Sequence, residues 1–543
     1  MGALTLKSFP FELRGWDIEK FESIDPTDGF GTSTRVYISK QQIIQIEPDH
    51  SKMTSNAWLS DKGRQFFDGI FGIWNSQNKQ NNNLILKKES WQKNIKKLLK
   101  TVYLFEHCSI KTKKNHYLTI VFENLGLETL SLLKIMEQNY PFLKLRRAED
   151  LNVSNDLEFN FQLNNAAQAN QLESSTLCLL INTNPRYEGY HLNLNLRQRY
   201  LKGNFKCLTL GSVTDLTFPI VTIGTNLKIL KQIVEGNSFV CQDFKTAKNP
   251  LLIFGNEFYK RVDGKATSAM FSNLPYTNLI TQTWNGLNTL NASLGEVGLQ
   301  SIAQFSPLKE KDLNEFSSLY FINVNAQTSP NLKKIAETKL LNYTNTNSKK
   351  QSNIKKLFFD QNNNLNSNQT FAQNLNQFQT SKNYSFLPTK MFYENEETYI
   401  NTEGFIKKTS KLITSRKTKE GWKLLRNLTK QLKNQCIGLN SRNSNTVLFN
   451  AVKQTNFMNF INFHYCAVEK LDSSTPSLAT KNQQFFFTKT VNKFKQNALK
   501  INATKSKYWL DDFFTGGKDE YSKNSLVLSN CSKILRTQST NFF

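Results

Sequence analysis

Short apolar segments, each followed by a polar turn and a helical pattern, constrain the fold of this chain more than any other feature. The segment Leu177–Ile181 reads Leu-Cys-Leu-Leu-Ile, and the turn 182–186 separates it from a helical pattern over 192–200. Lys206–Leu210 is the next such segment, and Gly211 ends it. A strand without polar alternation has to be covered on both faces, which is typical of parallel sheets between helices. We therefore predict an α/β fold with nested Rossmann-like parallel-sheet domains.

A different pattern precedes residue 75. The β-branched runs Thr34–Ile38 and Ile43–Ile46 flank a polar turn and predict a hairpin. Ser60 stands where a helix N-cap is expected, ahead of a helix over 62–71. We therefore expect a small β-rich lobe over 1–75.

The length of 543 residues is too great for one hydrophobic core, so the chain should form several domains. After the lobe we predict an α/β domain over 76–225 and a second α/β domain over 226–413 that is interleaved with the first. The Asn/Gln-rich segment 361–379 is predicted to be a low-complexity loop of the second domain. Residues 414–543 are predicted to form a helix followed by an irregular basic tail that is partly helical.

The formal net charge of +26 would ordinarily suggest a nucleic-acid or anionic-membrane partner. The chain is also rich in Asn, Lys, Phe and Ile and poor in Ala, Gly and Pro, as expected from a gene that drifts toward A and T. Under such drift Lys accumulates on solvated faces, so we predict no nucleic-acid partner. The sequence contains no run of about 18 apolar residues, which argues against a direct membrane span.

Cysteines and histidines show no pattern of a metal or catalytic site. The seven cysteines are odd in number and form no Cys-x-x-Cys motif, which favours a reducing compartment. The five histidines form no zinc-type pair, and P-loop, Gly-x-Gly-x-x-Gly and Gly-x-Ser-x-Gly motifs are absent. We therefore predict no catalytic, cofactor-binding or metal-binding residues in this chain.

Several short motifs resemble a known family and follow one another in the family's order. Near the N-terminus they are Gly2-Ala3-Leu4-Thr5, Glu12-Leu13-Arg14, Asp28-Gly29-Phe30-Gly31 and Trp58-Leu59-Ser60-Asp61. The later ones are Ile181-Asn182-Thr183-Asn184-Pro185-Arg186, Asp215-Leu216-Thr217, Tyr399-Ile400-Asn401-Thr402-Glu403-Gly404 and Ser529-Asn530-Cys531. The series resembles the 75-kDa subunit of respiratory complex I, within the wider family of molybdopterin oxidoreductases. In that subunit, Gly-Ala-Leu-Thr follows the iron–sulfur-bearing part.

The resemblance also bears on four positions in the lobe. In the wider family this lobe can bind a 4Fe–4S cluster through Cys-x2-Cys-x3-Cys and a later cysteine, and the corresponding residues here are Asp25, Asp28, Thr32 and Ser60. None of the four is a thiol, so the resemblance implies a degenerate site without a cluster. Asp-Pro and Asp-Gly are ordinary turn sequences, and we favour a turn over a site for a hard cation.

The turn Asn182–Arg186 follows a predicted parallel strand, where α/β folds place ligands. In molybdenum-containing relatives such turns hold pterin phosphates. Here there is no Gly-rich loop, and Pro185 lacks an amide, so we predict no pterin site. Arg186 is predicted to pack or to form an ion pair.

The resemblance implies a non-catalytic structural subunit in the matrix arm of mitochondrial NADH:ubiquinone oxidoreductase, a proton-translocating complex. The chain would be the C-terminal part of a divided 75-kDa subunit, encoded separately and made in the organelle. Its partners would be the N-terminal iron–sulfur fragment, which would carry 2Fe–2S and 4Fe–4S clusters, and other matrix-arm subunits, on the matrix side of the inner membrane. Residues 1–15 would contribute most to docking. Two alternatives stay open: a cluster- or pterin-bearing redox protein of the molybdopterin oxidoreductase family, and a basic organellar nucleic-acid-binding protein.

Overall fold

The computed structural model describes the N-terminal lobe, two parallel sheets with their helices, and parts of the C-terminal region. The described residues are 13–49, 58–70, 117–148, 171–211, 215–261, 263–264, 271, 279, 284, 286–302, 305–308, 316–324, 356–360, 384–387, 390–414, 420–431, 513–514, 519 and 521–540. Within them, no helix combines the length and the apolar character needed to cross a bilayer.

The N-terminal lobe contains an antiparallel sheet of three strands. They are, in spatial order, β1 (Glu19–Ile24), β2 (Ser33–Ser39) and β3 (Gln42–Pro48). Lys40 and Gln41 connect β2 and β3 with positive φ angles of 48° and 67°, which suits a two-residue hairpin turn. The predicted hairpin is confirmed, and its inner face buries Val36 opposite Ile46.

The remaining strands form two five-stranded sheets and one two-stranded sheet. In chain order they are β4 (Tyr117–Phe122), β5 (Leu143–Arg147), β6 (Leu177–Ile181), β7 (Lys206–Leu210), β8 (Val221–Gly224), β9 (Leu251–Gly255), β10 (Leu287–Leu290), β11 (Phe316–Ile322), β12 (Lys356–Asp360), β13 (Tyr384–Leu387), β14 (Thr398–Ile400) and β15 (Ile406–Lys408). The central sheet has the order β10-β9-β6-β7-β8, and the flanking sheet has the order β13-β12-β11-β4-β5. Every pairing in both of these sheets is parallel, which confirms the predicted fold class.

Both faces of the central sheet are buried. Leu179 and Ile181 belong to an apolar cluster on one face, whereas Cys178 and Leu180 belong to another cluster on the opposite face. The helix Tyr190–Leu201 contributes to the second cluster. Absence of polar alternation in β6 therefore reflects burial on both sides, as predicted.

The flanking sheet is assembled from two distant parts of the chain. Its strands β4 and β5 precede the central sheet in sequence, and β11 to β13 follow it. The predicted boundary at 225/226 falls between β8 and β9 of the central sheet, because apolar patterns reveal strands but not their spatial order. In keeping with the predicted interleaving, we propose that the strands of the central sheet form one domain inserted between the two parts of the other. The limits 76–225 and 226–413 themselves stay a prediction.

Helices connect the strands and cover the sheets. Their bounds are Asp61–Gln65, Leu127–Asn139, Gln171–Ser174, Pro185–Glu188, Tyr190–Leu201, Lys228–Val234, Val240–Thr246, Asn256–Tyr259, Glu296–Ile302, Gly421–Gln431 and Leu526–Thr540, with short 3-10 turns at Gly15–Asp17, Phe392–Glu394 and Ser522–Asn524. The predicted loop 361–379 lies outside the described residues. Of the basic tail, Leu526–Thr540 is the largest described element and is helical.

Candidate functional site

Three of the four residues predicted to occupy degenerate cluster positions, Asp25, Asp28 and Thr32, lie on one turn between β1 and β2. The amide of Asp25 donates to the carbonyl oxygen of Thr32 over 2.9 Å and closes the turn. Asp25 Oδ1 accepts a hydrogen bond from the amide of Thr27 at 2.9 Å. Asp28 Oδ1 accepts one from the amide of Phe30 at 3.0 Å. Carboxylates that bind amides two residues further along the chain are the ordinary chemistry of Asx turns.

The fourth position lies at the start of a helix next to this turn. Ser60 Oγ accepts a hydrogen bond from the amide of Gly63 at 3.0 Å, so Ser60 is the N-cap of Asp61–Gln65. The predicted cap is confirmed. Thr32 Oγ1 accepts a hydrogen bond from the hydroxyl of Tyr190 at 2.8 Å. Both hydroxyl groups are thus engaged in hydrogen bonds within the protein.

A buried lysine faces the two carboxyl groups of the turn. Lys62 is 5% exposed, and its Nζ lies 2.5 Å from Oδ1 of the buried Asp519. Burial raises the pKa of Asp25 from 3.8 to about 6 and that of Asp28 to about 8, although the ammonium of Lys62 opposes both rises. The charge of Asp25 adds to the rise at Asp28. Burial and the neighbouring carboxyl group thus both favour the protonated form of Asp28.

This set of side chains does not fit an iron–sulfur cluster. A cluster of this type needs four thiolates, whereas the turn and the helix offer two carboxyl groups and two hydroxyl groups beside an ammonium. The cysteines Cys178, Cys207, Cys241 and Cys531 are free thiols, and Cys108, Cys436 and Cys466 lie outside the described residues. In the part of the chain that the structure describes, no group of three or more His, Cys, Asp or Glu side chains could hold a metal ion.

The carboxyl edge of the central sheet is the second place where a ligand could bind, since α/β folds bind ligands there. Buried asparagines follow three adjacent strands: Asn182 after β6, Asn256 after β9 and Asn291 after β10. Asn184 caps Pro185–Glu188 by accepting a hydrogen bond from the amide of Arg186 at 3.1 Å. The guanidinium of Arg186 lies 2.7 Å from Asp215 Oδ2 at the surface, which confirms the predicted ion pair. These residues offer no Gly-rich loop to a pterin phosphate.

The turn of the lobe covers this edge of the sheet. Phe30 lies in the same apolar cluster as Leu180 and Leu290, and its ring centroid is 5.8 Å from that of His191. Burial lowers the pKa of His191 to about 4, so its imidazole is neutral. A Cβ atom on Gly189 would overlap the Phe30 ring, so glycine at this position lets the ring approach the helix.

Asn401 and Thr402, which belong to a later motif, donate hydrogen bonds to the same turn from its other side. The amide of Thr402 donates to the carbonyl oxygen of Gly29 at 2.8 Å, and Nδ2 of Asn401 donates to that of Phe30 at 3.0 Å. A Cβ atom on Gly29 would overlap the carbonyl oxygen of Asn291, so this backbone lies directly against the end of β10. The protein's own turn therefore lies against the edge of the sheet that would face a pterin.

Sequence reasoning singled out Asp25, Asp28, Thr32 and Ser60, whose correspondence to cluster ligands stays a prediction. It missed Lys62, Asp519 and Phe30. The sequence by itself contains no signal that Lys62 forms an ion pair with Asp519 in the tail. Phe30 belongs to one of the short motifs, but its contact with the central sheet depends on how the lobe and the sheet pack.

Comparison with known proteins places these features in a family. A family model described as molybdopterin oxidoreductase matches residues 90–431, which include both five-stranded sheets. The chain belongs to the molybdopterin oxidoreductase family. This confirms the wider resemblance expected from the short motifs.

Curated relatives of the chain include subunits of NADH-ubiquinone and NADH-quinone oxidoreductases. The chain is 27% identical over 455 residues to the NADH-ubiquinone oxidoreductase 75 kDa subunit of Reclinomonas americana, a match that covers 80% of this chain and 60% of the relative. It is 26% identical to the 78 kDa subunit of Neurospora crassa, over 57% of this chain and 42% of the relative. An NADH-quinone oxidoreductase subunit from Rickettsia bellii is 27% identical, over 55% of this chain and 43% of the relative. The chain is thus homologous to this complex I subunit over most of its length, but it spans at most about 60% of the length of these relatives.

Proposed function

We propose that this chain is a structural subunit of NADH:ubiquinone oxidoreductase, respiratory complex I. The observation that carries the proposal is the homology to the 75 kDa subunit over 80% of the chain. The chain would correspond to the C-terminal part of that subunit and would act in the matrix arm of a proton-translocating complex.

The side chains of the lobe support a role without electron transfer. Carboxyl and hydroxyl groups stand at the degenerate cluster positions, and they form turn and cap hydrogen bonds. Oxygen atoms of this kind do not replace the thiolates that an iron–sulfur cluster needs. Electrons would therefore pass through 2Fe–2S and 4Fe–4S clusters of a separate iron–sulfur fragment. This chain would pack against that fragment and keep water away from it.

We further propose that the chain lies on the matrix side of the inner mitochondrial membrane as a peripheral, organelle-encoded subunit. Its partners would be the iron–sulfur fragment and other subunits of the matrix arm. Residues 1–15 would take part in docking, although residues 1–12 lie outside the described residues. An obligate interface of this kind usually buries more than about 2,000 Å².

Isolation of the native complex tests this proposal. An affinity-tagged chain, expressed in its own mitochondria, is expected to comigrate on native gels with a large complex that has NADH dehydrogenase activity. Mass spectrometry of that band should identify a separate chain with the iron–sulfur motifs. Migration only as free protein would overturn the assignment.

Metal analysis separates the proposal from a redox protein of the same family. The chain purified away from its partners is expected to contain no stoichiometric iron, molybdenum or acid-labile sulfide. A stoichiometric signal for any of the three would show that the chain bears its own cofactor and would refute the structural role.

A further inference from the structure

The last described part of the chain lies on the N-terminal lobe. Residues 513–514, 519 and 521–528 are here called the strap, and they directly precede or begin the helix Leu526–Thr540. The hydrogen bonds from the amides of Leu526 and Val527 to Asp68 join residues that are 458 and 459 positions apart. The two ends of the described chain are therefore held together by tertiary contacts.

Asp68 of the lobe caps the helix that begins in the strap. The first amides of an α-helix have no partner within the helix itself. Here Asp68 Oδ2 accepts hydrogen bonds from the amides of Leu526 at 3.0 Å and Val527 at 3.3 Å, and from the hydroxyl of Ser525 at 3.1 Å. A carboxylate at this end of a helix also interacts favourably with the helix dipole. The first turn of the C-terminal helix thus depends on a residue of the lobe.

A buried ion pair connects the strap to the helix Asp61–Gln65 of the lobe. Nζ of Lys62 lies 2.5 Å from Oδ1 of Asp519, and the two side chains are 6% and 2% exposed. Removal of one partner of such a pair is strongly destabilising, because the other charge is then buried without compensation. The position of Asp519 is therefore coupled to the position of the lobe helix.

The apolar core of the lobe includes a side chain of the strap. Leu528 is 1% exposed and belongs to the same cluster as Val36 of β2 and Ile46 of β3. Phe514 packs against this cluster from its periphery. Without the strap, apolar side chains that are now buried in the lobe would be exposed to water, which is unfavourable.

Tyr521 adds contacts between the strap and two separate parts of the lobe. Its ring centroid is 6.2 Å from that of Phe66, and its hydroxyl accepts a hydrogen bond from the amide of Phe392 at 3.1 Å. A Cβ atom on Gly69 would overlap the carbonyl oxygen of Tyr521, so the two backbones are in direct contact. The strap thus packs on the lobe through backbone, polar and apolar groups.

The central sheet does not share this dependence. Among the described residues, the two apolar clusters on its faces include no residue of the strap. A ring contact does reach the helix Pro185–Glu188, where the centroids of Phe513 and Tyr187 are 5.3 Å apart. Groups of residues that share a core tend to open as one cooperative unit, whereas separate cores open separately.

We propose that the strap is a clamp that completes the lobe, so that the lobe and the strap open and close as one cooperative unit, separately from the central sheet. The lobe then reaches its native structure only after the C-terminal part of the chain has closed on it. Closure of the strap is late in folding, because contacts between such distant residues require a long loop to close.

Hydrogen–deuterium exchange of the full chain tests the clamp. Leu528→Ala removes buried apolar volume from the strap alone, and it should raise the opening constants of the strap by about thirtyfold or more. Peptides that cover β2 and β3 of the lobe should show the same factor, although the substitution lies outside them. Peptides that cover β6 and β9 of the central sheet should keep their protection.

Leu526→Ala is the matched control, because Leu526 lies in the same helix but is 75% exposed. It should leave exchange in the strap and the lobe unchanged. Asp519→Asn is a second variant that removes the charge of the strap with little change of volume, and it should also raise the opening constants of both the strap and the lobe. It keeps the test decisive if Leu528→Ala does not fold.

Two results would overturn the proposal. If β2 and β3 keep their protection while the strap loses its own, the strap is an appendage and does not complete the lobe. If β6 and β9 lose protection by the same factor, the molecule opens as a whole and the lobe and strap are not a separate unit. Neither result depends on membership in complex I.

Discussion

The central sheet and the N-terminal lobe both have buried interiors, but different interactions stabilise them. In the central sheet, fully buried Leu, Ile and Phe side chains fill both faces. In the lobe, Asp25, Asp28 and Lys62 share the interior with an apolar cluster around Val36 and Ile46. An apolar core tolerates many arrangements of similar volume, whereas buried charges need particular partners. The stability of the lobe should therefore depend on single charged residues, and the stability of the sheet should depend on the volume of its buried side chains.

The largest effect is expected in the central sheet. Phe254 is 1% exposed, and its ring centroid lies 4.9 Å from that of Phe258. Phe254→Ala should lower the free energy of unfolding by about 3–5 kcal/mol, because it removes buried apolar area and leaves a cavity. Urea denaturation measures this loss. Phe239→Ala is the control, since Phe239 is 67% exposed, and an equal loss there would contradict the role of burial.

A smaller effect is expected where the lobe meets the central sheet. In Gly29→Ala the added Cβ would overlap the carbonyl oxygen of Asn291 and Oγ1 of Thr402, so the turn must move. We expect a loss of about 1–3 kcal/mol, as for overpacked interiors. Thermal unfolding of this variant can be compared with that of Gly15→Ala, where nothing lies within 4 Å of the new atom. Equal stability of both variants would show that the turn is not tightly packed on the sheet.

The smallest effect is expected for an ion pair at the rim of the central sheet. Lys206 and Asp243 are 46% and 30% exposed at the side chain, in contrast to Lys62 and Asp519 at 6% and 2%. Lys206→Ala should change the free energy of unfolding by less than about 1 kcal/mol, because solvent screens exposed charges. Denaturation at low and high salt measures it. A loss above about 2 kcal/mol would remove the contrast between the two ion pairs.

The features that could be predicted from the sequence are those whose signals are local. Leu177–Ile181 and Lys206–Leu210 were recognisable as strands because each is apolar throughout, and their pairing in the central sheet confirms the fold class. The hairpin and the Ser60 cap were recognisable because their signals are local. The pairing of β4 with β11 was not, because hydrogen bonds between distant strands leave no trace in local composition.

The candidate site also has some features that the sequence predicted and others that only the structure shows. The oxygen-bearing residues at 25, 28, 32 and 60 could be read from the sequence together with the turn chemistry of the two aspartates. The ammonium of Lys62 beside them, its partner Asp519 and the Phe30 ring at the edge of the central sheet could not.

By itself, the amino-acid sequence determined the fold class, through apolar segments of short spacing, and the family, through the resemblance of its short motifs. It also shows that none of the residues 25, 28, 32 and 60 is a cysteine. Tertiary structure alone decided which strands share a sheet, what fills the carboxyl edge of the central sheet, and which charge faces the buried aspartates. These features depend on contacts between residues that are tens to hundreds of positions apart, and a residue's own type does not specify its distant neighbour.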